Sequence, residues 1–201
     1  MRRLIFGLCA VVLLSACRAE PEWAPEADVQ RFAYSDGGES SVTLITVIRT
    51  EANEGGHTAV LIDGSQRVIW DPAGTWWHPQ SPERNDLHYG ITPWMEAYYR
   101  DYHVRDVYHV VEQEVQVSRE TADAMIAAYQ AHGAVPKANC TRSSAVVMRQ
   151  FPGFEGISTT YFPKKMMKDF GEIPGVVTRE YYEDTLDLSG LNLVQREDLD
   201  R

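Results

Sequence analysis

The stretch Gly55-Gly56-His57-Thr58-Ala59-Val60-Leu61-Ile62-Asp63-Gly64-Ser65-Gln66-Arg67-Val68-Ile69-Trp70-Asp71-Pro72-Ala73-Gly74 decides how this chain folds. Two apolar, β-branched runs, His57 to Ile62 and Gln66 to Trp70, flank Asp63-Gly64-Ser65, and that pattern predicts a hairpin. Asp71-Pro72-Ala73-Gly74 has the composition of a type I turn and ends the second strand. Gly55-Gly56 precedes the first strand and leaves room beside His57 for a substrate. With a three-residue turn, Ile62 pairs with Gln66 and His57 falls opposite Asp71 on one face, the Cβ atoms about 4.5–5.5 Å apart. A two-residue Gly64-Ser65 turn would pair His57 with Pro72 and send Asp71 to the other face. Asp71 also reads simply as the opener of its turn.

Working outward, Ser41 to Thr50 is a β-branched run that predicts a strand. Residues 75–91 read as a polar, aromatic loop carrying Trp76, Trp77, His78 and His88. Thr92 to Tyr102 predicts a short helix, with Thr92 as N-cap and Pro93 at its first position. Asp106 to Val117 alternates as a strand, and Ser118 caps a helix to about His132 that Gly133 stops. Asn139 or Cys140 opens a further helix burying Ala145, Val146, Val147 and Met148, and Pro163 to Phe170 is a short amphipathic segment. The fold expected is α+β, a small antiparallel sheet packed against the helix that bears the cysteine. One catalytic domain over 34–175 is expected, with an acidic tail over 176–201.

The first residues point to export. Arg2 and Arg3 precede the apolar Leu4 to Leu14, too short for a membrane span of about 20 residues, and Leu14-Ser15-Ala16-Cys17 follows. That ending resembles the bacterial lipobox. It implies a signal peptide over 1–16, lipid on Cys17, a tether over 17–33, and a membrane partner through that lipid. Arg18 stands where an aspartate would mark inner-membrane retention, which favours the outer membrane, facing the periplasm. Loss of the leader leaves 17 basic against 29 acidic residues, which argues against nucleic acid or an anionic membrane surface as partner.

Of the three cysteines, Cys9 leaves with the leader and Cys17 carries lipid, so Cys140 has no disulfide partner. It reads either as a small buried hydrophobe or as a nucleophile. A helix N-terminus and an adjacent imidazolium both favour the thiolate, and His57 is the histidine best placed to supply the second. Asp71 would fix the imidazole's tautomer. His78, His88 and His103 lie near Asp71, Asp86 and Asp101 in sequence, but none has a tight ligand spacing, so no metal and no cofactor is expected.

A histidine-bearing strand, a polar residue on the next strand and a later Asn139-Cys140 at a helix start resemble the permuted papain-like hydrolases. These relatives of NlpC-type peptidases include the lecithin:retinol acyltransferase-like enzymes and bacterial lipoproteins of peptidase type. The resemblance covers roughly residues 41–165. It implies Cys140 as nucleophile, His57 as general base and acid, and Asp71 as the orienting group. The acyltransferase-like members follow Asn-Cys with Glu-His, whereas this chain has Thr141-Arg142; their third position is commonly histidine, so Asp71 is carried over by location and role alone. In such an enzyme the Cys140 N–H would form half of an oxyanion hole. Asn139 and Gly56 would lie beside the substrate, and Trp76 would wall the cleft.

The activity expected is amide hydrolysis, on peptide or peptidoglycan-type bonds. The alternatives are lipid acyl transfer or thioester hydrolysis on the same fold, or a non-catalytic envelope lipoprotein that binds peptide or glycan. A long apolar tunnel would favour lipid acyl groups; an open polar cleft would favour peptides. The oligomeric state is not legible.

Overall fold

The computed structural model describes residue 19 and residues 21–105 and 107–183. The leader, the lipobox Cys17 and the last part of the acidic tail lie outside the described residues. In chain order the elements are α1 (Glu26–Phe32), β1 (Ser41–Arg49), β2 (Glu54–Asp63), β3 (Arg67–Trp70), β4 (Glu83–Arg84) and β5 (Leu87–Tyr89). Then come α2 (Pro93–His103), β6 (Tyr108–Gln116), α3 (Arg119–His132), α4 (Cys140–Met148), α5 (Pro163–Gly171) and β7 (Val177–Tyr181). The protein is α+β, and the seven described strands form one antiparallel sheet in the order β4-β5-β3-β2-β1-β6-β7.

β1 is central, and its Val and Ile residues fill both faces of the pleat. Val42 and Leu44 point to one core with Val60, Ile62, Val68 and Trp70, under α3, α4 and α5. Ile45 and Val47 point to the other with Ala59, Leu61 and Ile69, under α2. The sheet is therefore the middle of three layers, and successive residues of one strand serve different cores. Trp70 stacks on Tyr129 of α3 at 4.8 Å, both fully buried. Burial of such side chains contributes roughly 1.5–3 kcal/mol each.

The helix ends follow their capping residues. Thr92 Oγ1 accepts from Met95 N–H at 3.1 Å and Pro93 opens α2, as the sequence predicts. Ser118 Oγ accepts from Thr121 N–H at 3.1 Å and starts α3, which ends at Gly133 with φ 81°. Gly133 can take that backbone without strain because it has no Cβ.

Four sequence expectations are corrected. The 75–91 segment is not all loop, because β4 and β5 form a short hairpin that extends the sheet beyond β3. The sheet is thus larger than the small one expected. The domain does not close at 175, since Val177–Tyr181 pairs with β6 as the far edge strand. The tether region is structured from its second part, with α1 and a bridge between Trp23 and Arg84.

The fourth correction is the hairpin register. Asp63 pairs with Arg67 and Val60 with Trp70, so the turn is Gly64–Gln66 rather than Asp63–Ser65. Carried one residue on, this register sets Asp71 against Ala59, not His57. The slip is two residues, an even number, so His57 and Asp71 keep the same face and meet on the diagonal.

Candidate active site

The site lies where the sheet splits. β2 and β3 part after the Val60–Trp70 pair, while β2 stays on β1 as far as Glu54. Residues 57–59 thus lose their β3 neighbour, and the start of α4 comes in at that opening. The β1–β2 register slips between Val47–His57 and Ile48–Gly55, leaving Gly56 as a bulge next to His57. A bulge of this kind turns the adjoining side chain. Gly55 is not open space: a Cβ there would lie 2.6 Å from Cβ of Pro163, so the glycine lets the start of α5 press on the strand. Gly56 does face the cleft, beside Tyr108.

His57 Nε2 meets Asp71 Oδ1 at 2.5 Å, with the imidazole largely covered and the carboxylate wholly so. The Cys140 thiol lies close enough to His57 for the imidazole to lower it. Asp71 Oδ1 accepts a second bond from the Tyr99 hydroxyl at 2.9 Å. Oδ2 is buried with no hydrogen-bond partner among the described residues, and a Cβ on Gly74 would collide with it. The Asp71 turn closes through Gly74 N–H on the Asp71 carbonyl at 3.0 Å. Asp86 braces that turn: its Oδ2 accepts from Ala73 N–H at 3.3 Å and from Val135 N–H at 2.7 Å.

Cys140 is the first residue of α4 and is half-buried. Its N–H belongs to the first helical turn, whose amides have no intrahelical acceptor. The sulfur lies 3.8 Å from Thr141 Oγ1, and the Thr58 backbone amide helps to lower the thiol. Asn139 does not cap the helix with its side chain; its Nδ2 donates to the Lys137 carbonyl at 3.1 Å. Ala138, with φ 65°, bends the chain into the helix, and Ala73, with φ 57°, does the same in the Asp71 turn. Left-handed backbone at a residue with a Cβ is strained, and both alanines sit within three residues of the site.

The charges favour an ion pair. Burial pushes the Cys140 thiol up, but the hydrogen bond and charge of His57 outweigh it and bring the thiol below its ordinary value. Burial pushes His57 down, and the Asp71 carboxylate more than reverses this, raising the imidazole to about 10. Asp71 is held below the usual carboxylate range: His57, chiefly by its charge, overcomes the burial. The arrangement therefore favours the thiolate and the imidazolium over the neutral pair.

His103 is a member that the sequence reading did not place. Its ring stacks on His57 at 5.8 Å with the planes 3° apart, and Nδ1 lies 2.9 Å from the Tyr99 carbonyl oxygen. Nδ1 is therefore the donor, and burial pushes the group down to about 4, so His103 stays neutral. The signal available was the Tyr99–His103 spacing, which puts both on one face of α2. His57, Asp71 and His103 have ligating atoms within 4.8 Å of one another. His57 Nε2 and Asp71 Oδ1 already bond each other, so an ion at that point would have to displace their contact.

A cleft of about 440 Å³ opens on His57, walled by Val47, Gly56, Ala73, Gly74, Thr75, Tyr102, His103, Arg105 and Tyr108. Trp76 is not a wall of it. The indole is buried against His88 and Tyr99, at 4.9 and 5.1 Å, and belongs to the α2 core. The other histidines are structural: His78 packs on Tyr98, His109 bonds Thr50, and His132 lies edge-on to Trp70. Neither a family model, nor a curated protein, nor a solved structure matches the chain.

Proposed function

We propose that the protein is a thiol hydrolase of permuted papain-like type, cleaving amide bonds of peptide or peptidoglycan-type substrates. The observation that carries this reading is the chain of contacts Cys140–His57–Asp71, with the thiol lowered and the imidazole raised. Base and orienting group are hydrogen-bonded and the nucleophile is lowered by the base, the order of contacts that such catalysis requires. The Cys140 thiolate adds to the substrate carbonyl carbon, and the oxyanion formed lies by the Cys140 N–H at the positive end of α4. The His57 imidazolium gives its proton to the leaving amine as the C–N bond breaks, leaving a thioester on Cys140. Water, deprotonated by the now neutral His57, adds to the thioester; collapse releases the acid and restores thiolate and imidazolium.

Asp71 acts through His57, holding its tautomer and stabilising its charge. Tyr99 in turn holds Asp71. The cleft's polar walls, Thr75, His103, Arg105 and two tyrosines, support an amide substrate over a lipid acyl chain. Export and anchoring through Cys17 belong to the same proposal.

The test is incubation with a library of peptide and peptidoglycan-stem amides, with intact-mass detection of an acyl-enzyme. A mass increment on Cys140, absent in Cys140→Ala and strongly reduced in His57→Ala, is expected. A wild-type thiol that acquires no acyl group from any amide, ester or thioester would overturn the reading.

A further inference from the structure

We propose that Arg105 is the anchor for a substrate carboxylate in the cleft beside His57, so that the preferred substrates are acids with the charge near the scissile bond. This rests on the thiol-hydrolase reading. Arg105 is the one permanently charged cation among the residues lining the cleft. Its guanidinium is already held on one side. Nη1 donates to the carbonyl oxygens of Asp101 and Val104, the latter at 2.7 Å, and the group lies over the Tyr102 ring at 5.7 Å. The backbone is pinned as well, by Arg105 N–H on the Tyr108 carbonyl at 3.1 Å and the return bond at 2.8 Å. Tyr102 is itself fixed by a 2.9 Å bond between its hydroxyl and Thr75 Oγ1.

What this leaves free is the Nε–Nη2 edge, which makes no hydrogen bond and no ion pair with any described residue. That edge is a two-donor fork, spaced for the two oxygens of one carboxylate. Among the described residues, the other arginines that are not exposed have carboxylates: Arg67 pairs with Asp63 and Glu96, Arg100 with Glu96 and Glu112, Arg84 with Glu26. In a protein of net charge −10, a fixed guanidinium with an open fork in the cleft is the exception, and a ligand carboxylate is the group that completes it. Because its ordering has been met in advance by the two carbonyls and the tyrosine, little further freedom is lost when the acid binds.

The two sources of such a group are a C-terminal carboxylate and an acidic side chain. The test uses chloroacetyl reagents that alkylate Cys140, which adjoins the cleft through His57. One matched pair is chloroacetyl-glycine and chloroacetyl-glycinamide; the other is the α-amides of chloroacetyl-glutamate and chloroacetyl-glutamine. Each second-order rate is divided by the same variant's rate with iodoacetamide, which removes changes in the thiol itself. In the wild type the acid of at least one pair is expected to react about tenfold faster than its amide, the scale of one charge-assisted contact. Arg105→Gln should bring that ratio to near one, and Arg105→Lys, a charge without the fork, to an intermediate value. The pair that responds identifies the source of the carboxylate.

Absence of any acid preference in the wild type, or a preference that survives in Arg105→Gln, overturns the assignment. Thermal melting of both variants establishes that they are folded when compared. An inert thiol toward iodoacetamide in the wild type would instead sink the hydrolase reading, and so the two failures are told apart.

Discussion

Thr58 Oγ1 and Thr141 Oγ1 lie 2.9 Å apart in the interior, one on β2 next to His57 and the other on α4 next to Cys140. This hydroxyl pair ties the strand that carries His57 to the helix that carries Cys140. Replacing either threonine by valine leaves the other hydroxyl buried without its main partner. Each single change should cost about 1–3 kcal/mol by chemical denaturation. The double variant should cost less than the sum of the two, and a strictly additive result would show that the bond is not a coupling between strand and helix.

The ionisation of Cys140 can be read from its alkylation. Because His57 holds the thiol below its ordinary value, the pH profile of iodoacetamide alkylation should have its midpoint on the acid side of about 8.5. In His57→Ala the burial persists without the compensating charge. The profile of that variant should move to the alkaline side of about 8.5. Superimposable profiles for the two proteins would show that His57 does not govern the thiol.

Gly74 is predicted to matter through a carboxylate it does not bond. A methyl group there would collide with Asp71 Oδ2 and turn the carboxylate from His57. Without Asp71, burial depresses the imidazole and the thiolate loses its counter-charge. Gly74→Ala should therefore lower alkylation at pH 7 as much as Asp71→Asn does, tenfold or more if the shift is about one unit. Gly55→Ala meets Pro163 at 2.6 Å instead, and its effect should be a loss of about 1–3 kcal/mol in stability.

Stability should depend on pH through the same pair. The folded His57 is raised to about 10, so its contribution is complete below the unfolded value near 6.5 and is lost as the pH climbs through the folded one. Asp71, being lowered, contributes above about 3.9 and loses that only at much lower pH. The gap in Tm between wild type and His57→Ala should be widest below about pH 6.5 and narrow towards 10. A gap that grows with pH would contradict the ion pair.

Much of this was legible because local chemistry and tertiary structure agree. Thr92, Pro93, Ser118 and Gly133 mark helix ends by rules that act within a few residues. The runs in β1, β2 and β3 are apolar enough to be strands wherever they pack. The Cys140 helix was placed by Asn139-Cys140, although Asn139 caps without its side chain. The hairpin face was right while the register was two residues off, because parity survives an even slip. The β4–β5 hairpin escaped because its strands are two and three residues long, with polar Glu83, Arg84 and His88. β7 escaped because Thr178, Arg179 and Glu180 read as tail until β6 offers them an edge. Trp76 was assigned to the cleft for its position after Asp71, but the α2 core claims it. His103 reaches the site only through the docking of α2, which no spacing in the hairpin reveals.

His57 and Asp71 belong to one hairpin, 14 residues apart, whereas Thr58 and Thr141 are separated by 83. His57 and Asp71 meet by closing a short loop, whereas bringing Cys140 to them closes a long one at a greater entropic cost. Until that happens Cys140 has the reactivity of any solvated cysteine. The lowered thiol is thus a property of the assembled tertiary structure, and a copy in which that long loop is still open carries an ordinary one.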